Sequence, residues 1–144
     1  MPRIETLRPQ DAQRELVDGG IGTPDEEWAN GLTHALGWLL SMVGSAALLH
    51  AVVQRGTTWQ LMGCLVYCIS LIAVYAASTL SHWVTSPLWR SGFRAWDQGL
   101  IYLLIAGNFT PFAVACFQGW WYLLSILMWT LALVGFISKV AFRH

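Results

Sequence analysis

Acidic charge is nearly missing from the body of this chain: after Glu27 the only carboxylate side chain is Asp97. Charge of either sign is scarce, at 11% of residues, where a soluble domain carries about a quarter. That scarcity excludes an ordinary water-facing globular surface. The formal net charge is zero, and no basic stripe is present, which excludes an electrostatic nucleic-acid partner. Cysteine is limited to Cys64, Cys68 and Cys116. All lie inside apolar runs and read as small packing residues, because a spacing of four on a helix is not a zinc-knuckle turn. The chain opens without an apolar signal segment, so its start reads as a tail rather than a targeting peptide.

Long apolar runs dominate what remains, with 56% hydrophobic residues. Four stretches, about 31–53, 59–84, 98–117 and 120–137, contain no Lys, Arg, Asp or Glu. Each approaches the roughly 20 residues that cross a bilayer as a helix. The expected fold class is therefore all-α, a polytopic transmembrane helix bundle. Residues 1–24 read as a tail and 25–144 as the transmembrane domain. Trp28, Trp59, Trp83, Trp89, Trp96, Trp120 and Trp121 cluster at the span ends, where indole rings prefer the interface.

Lys and Arg divide unevenly between the two sides. With the N-terminus inside, Arg3, Arg8, Arg14, Arg90, Arg94, Lys139 and Arg143 fall inside and only Arg55 outside. The positive-inside rule then puts both ends in the cytoplasm, in a cell inner (plasma) membrane. In the tail, residues 9–18 could form a short surface helix. Thr23, Pro24 and the acids after them mark the start of the first spanning helix.

Polar groups at membrane depth are functional candidates, because they are costly unless paired or wetted. In the second span Cys64, Cys68, Leu71, Tyr75, Ser78 and His82 recur at helical spacing and draw one face. Ser78 precedes His82 by one turn. Asp97 opens the third span at the level of His82 and shares a face with Ile101, Leu104 and Asn108. The spacing leaves two readings of His82 open: a site residue, or an interfacial histidine ending its span. Glu27, Asn30 and His34 share a face of the first span. They form either a polar network or a set of interfacial side chains. Gly37, Ser41 and Ser45 form a small-residue face suited to close helix packing. Arg90 and Arg94, in an inner loop over 85–96, fix topology or touch anionic headgroups. Pro111 should kink the third span by freeing the Gly107 carbonyl, with Asn108 or Thr110 as its partner. The fourth span reads as structural.

Three stretches carry a family resemblance: EEWANGLTHALG at 26–37, STLSH at 78–82 and DQGLIYLLIAGNFTPF at 97–112. They resemble bacterial hemolysin III proteins, within the progestin and adipoQ receptor superfamily. The resemblance implies seven spans and an intramembrane zinc ion near the cytoplasmic face. It implies that His82 is a metal ligand, that Ser78 lies beside the metal, and that Asp97 holds the zinc-bound water as general base. Two further histidines would come from a seventh span. Superfamily relatives of the ceramidase type hydrolyse lipid amides, so a zinc-dependent lipid hydrolase, or a protein of lipid homeostasis, is the implied function. Ser81 and Gln98 depart from the family's commoner tyrosine and histidine and are expected to border the site. The chain stops after the fourth span, so the zinc site is expected to be incomplete and the chain alone inactive. His34, His50 and His144 are not read as substitute ligands. Membrane lipids are the expected partners, with self-association or the missing C-terminal spans completing the assembly. The alternatives are a non-catalytic membrane interaction protein, or a cytolytic one as the family name suggests.

Overall fold

In the computed structural model, residues 24–142 are described. The expected helix over 9–18, the Thr23 cap and His144 lie outside them. Four long helices follow one another: α1 (Pro24–Arg55), α2 (Thr58–Trp83), α3 (Pro87–Cys116) and α4 (Tyr122–Ala141), the last entered through a 3-10 turn at Gly119–Trp121. No strand is present among the described residues. All four helices are long and apolar enough to cross a membrane. The fold is all-α.

The helix ends follow local chemistry. α1 starts at Pro24, a residue suited to the first turn, with Asp25, Glu26 and Glu27 against the positive end of the helix. A reciprocal capping box opens α2: the Gln60 N–H donates to Thr57 Oγ1 at 3.3 Å, and the Thr57 N–H donates to Gln60 Oε1 at 2.9 Å. Gly119, at φ +60°, takes the left-handed conformation that turns the chain into α4.

The third helix corrects the expected loop over 85–96. α3 begins at Pro87, so only Val84–Ser86 connect it to α2. Asp97 therefore sits nearly three turns into α3 instead of opening it. Hydropathy stops at Arg90 and Arg94, but a helix does not. Pro87 suits the first turn, and nothing between it and Asp97 breaks the hydrogen-bond ladder.

The helices pack in chain order, α1 on α2, α2 on α3 and α3 on α4, with no backbone contact between α1 and α4. Neighbours run antiparallel. Gly31 lies beneath Trp83 and Gly37 beneath Tyr75, while Gly63 backs onto Pro111 and Gly107 onto Ser70. Small residues let these backbones approach. Ser41 and Ser45 are buried, as are Cys64 and Cys68, while Cys116 is exposed. The seven tryptophans at the span ends are all exposed. Near Pro111, the Thr110 hydroxyl donates to the Ala106 carbonyl at 2.7 Å and accepts from Trp129 Nε1 at 3.1 Å. Asn108 is exposed.

Antiparallel neighbours with short connections put Gly56 and Gln118 at one end of the bundle and Ser86 at the other. Reporter fusions at Gly56 and Gln118 are expected to report one side of the membrane and a fusion at Ser86 the opposite side. The same side at all positions would refute the spanning arrangement.

Candidate functional site

One end of the bundle gathers most of the polar groups. The start of α1, the end of α2 and the start of α3 meet there. Glu27, only 9% exposed, lies at the centre of the cluster. Its Oε2 accepts from His82 Nδ1 at 2.7 Å and from an Arg90 guanidinium nitrogen at 2.6 Å. Its Oε1 accepts from Arg94 at 3.0 Å. The carboxylate thus ties α1 to α2 and, through the arginines, to α3. Arg90 Nε also donates to the Ser81 carbonyl at 3.3 Å. Ser81 is fully buried and spends its own hydroxyl on the Ser78 carbonyl at 2.8 Å.

This hub orients His82. An ionised carboxylate only accepts, so Nδ1 is the donor of this bond. The His34 ring stacks on that of His82, with centroids 5.5 Å apart and planes 14° apart. The imidazole is therefore held by a hydrogen bond at one nitrogen and by a second ring against its face.

Beside the hub opens a cleft of about 340 Å³, lined by His34, Tyr75, Ser78, His82 and Asp97 at its polar part and by Leu71, Val74, Ile101 and Leu104 elsewhere. The structure thus brings Ser78, His82 and Asp97 to one cleft across α2 and α3. Asp97 shares this cleft with Ser78 and with the imidazoles of His34 and His82. The Leu71–Tyr75–Ser78–His82 face read from spacing is the α2 wall of this cleft.

Some sequence readings are corrected here. His34, read as part of a polar network or as an interfacial side chain, lines the cleft, where Gly37 lets α1 press against Tyr75. Of the Glu27–Asn30–His34 face, Glu27 and His34 join the network, while Asn30 is exposed. Arg90 and Arg94 bind Glu27 instead of standing in a loop. Gln98 does not border the cleft; it faces the groove between α3 and α4. Glu27 was missed as the hub. Its available signal was a carboxylate two turns before His34, at the depth of the arginines.

The donors do not by themselves fit a zinc ion. Among the described residues, no three His, Cys, Asp or Glu side chains are grouped so as to hold a metal. Structural and catalytic zinc sites take at least three protein ligands. His82 Nδ1 is already committed to Glu27, an arrangement that orients a ligand histidine from outside the metal, but the remaining ligands are not assembled.

These features define a class: an α-helical membrane protein with a polar cleft at one end of its bundle. The model of the family described as "Haemolysin-III related" matches residues 23–144, and the chain belongs to that family. It is 33% identical over 121 residues to the hemolysin-3 homolog of Bacillus subtilis (strain 168), covering 83% of this chain and 57% of the relative. It is 39% identical over 119 residues to hemolysin-3 of Bacillus cereus, covering 81% of this chain and 54% of the relative. The chain thus spans little more than half the length of these curated relatives. No solved structure matches it significantly.

Proposed function

We propose that this chain supplies one part of an intramembrane site that binds, and in a complete assembly hydrolyses, a lipid amide. The observation that carries the reading is the convergence of His34, Tyr75, Ser78, His82 and Asp97 on a cleft whose other walls are apolar. A lipid needs both halves. Its polar linkage would lie against Ser78 and Asp97, and its chain along Leu71, Val74, Ile101 and Leu104. Asp97 is the candidate general base and Ser78 the group that orients it. His82, oriented by Glu27, is the one prearranged imidazole donor for a metal that further ligands from outside this chain would complete. Zinc is the metal that the family resemblance suggests for the complete site. The distribution of Lys and Arg supports a cytoplasmic location for this end of the bundle.

A short-chain fluorescent ceramide tests the reading. The purified chain in detergent is expected to bind it saturably, with Asp97→Asn and Ser78→Ala each weakening binding about fivefold or more. Dialysed against zinc, the same preparations are expected to retain well below one ion per chain. Identical ceramide binding by the parent and both variants would refute the lipid site. Stoichiometric zinc that is lost in His82→Ala would refute the incomplete metal site.

A further inference from the structure

A second cleft lies between the start of α3 and the end of α4. It measures about 510 Å³ and is lined by Ser91, Arg94, Gln98, Ser138, Lys139 and Phe142, with Ala95 at its floor. Among the described residues no carboxylate lines it. Lys139 and Arg94 are its cations, and the Ser138 hydroxyl and Gln98 amide add neutral donors, a set suited to phosphate oxygens.

Its position suggests what kind of phosphate it takes. The apolar run of α4 ends at Ile137, immediately before Ser138 and Lys139. On α3, Ser91 and Arg94 precede the apolar run that starts at Gly99. The cleft therefore straddles the level where the helices pass from hydrocarbon to headgroups. Trp89, Trp96 and Phe142 around it are exposed, as interfacial rings are. Below it, Leu131 and Val134 are exposed along α4 and offer a track for acyl chains. The walls are fixed at this level, since the Trp96 ring meets Phe136 edge-on at 5.4 Å and Gly99 seats α3 against Phe136 and Val140. Arg94 reaches Glu27 through one terminal nitrogen at 3.0 Å. A guanidinium has five N–H donors, so this bond does not exhaust it.

We infer that this cleft binds the phosphate headgroup of an anionic membrane lipid, with Lys139 and Arg94 as its cations and the acyl chains on the outer face of α4. Free phosphate shares the headgroup chemistry but would make no use of the apolar track.

Native mass spectrometry of the full chain in detergent tests this, with phosphatidylglycerol and phosphatidylcholine of identical acyl chains as probes. Phosphatidylglycerol is expected to be retained about fivefold or more over phosphatidylcholine, and Lys139→Gln to cut that retention about fivefold. Lys139 is exposed, so the variant is expected to fold. Arg55→Gln, at the opposite end of the bundle, should leave retention unchanged. Equal retention of the two lipids, or unchanged retention in Lys139→Gln, would overturn the inference. Displacement of bound phosphatidylglycerol by millimolar inorganic phosphate would reassign the cleft to free phosphate and overturn the lipid assignment, whereas lipid that stays bound supports it.

Discussion

Glu27→Ala is expected to destabilise the bundle by about 3 kcal/mol, the lower end of the cost of removing one partner from a buried ion cluster. The lower end applies because the Arg90 and Arg94 side chains keep 22% and 33% of their exposure and are partly solvated. The substitution strands several groups at once. Arg90 and Arg94 lose their shared counterion, and His82 Nδ1 loses the acceptor that fixes its proton. α1 also loses the carboxylate that ties it to α2 and α3. Unfolding of the purified chain in mixed micelles, followed by tryptophan fluorescence, measures the loss. A double-mutant cycle with Arg90→Met then isolates the pair, with an expected coupling of at least about 1 kcal/mol. A Glu27→Ala protein as stable as its parent, within about 0.5 kcal/mol, would show that the cluster is ornamental.

The helices were legible because a bilayer imposes a simple demand: every spanning stretch must be long, apolar and internally hydrogen-bonded. Their ends were less legible. Charged residues mark where hydrocarbon stops, not where a helix stops, so α3 runs through Arg90 and Arg94 back to Pro87. Part of the cleft was also legible. Ser78 and His82 share a face by periodicity alone, and Asp97 stands out as the lone later acid. His34 and Glu27 were not placed, because their roles depend on how α1 is rotated against α2. That rotation is set by Gly31 beneath Trp83 and Gly37 beneath Tyr75, contacts that no single-helix pattern contains. The choice between Glu26 and Glu27 as the hub lies in the same rotation.

Asp97→Leu is expected to stabilise the bundle, by about 1–2 kcal/mol, while abolishing ceramide binding in the cleft. Among the described residues Asp97 makes no ion pair with Lys or Arg; those ion pairs go to Glu27. A carboxylate facing a half-apolar cleft is costly to keep, and Leu71, Val74, Ile101 and Leu104 would accept a leucine. Ser78 is the group at risk. It sits on a helix, where its hydroxyl can turn back to a backbone carbonyl, so its loss of Asp97 costs little. The sign separates two roles for this residue, scaffold and site. A carboxylate that only helps hold the helices together would cost stability when removed, as Glu27 should. One retained for chemistry, at the expense of the fold, should leave a more stable and inert protein. The same mixed-micelle unfolding measurement decides between them, and a clear loss of stability in Asp97→Leu would assign Asp97 to the scaffold instead of the site.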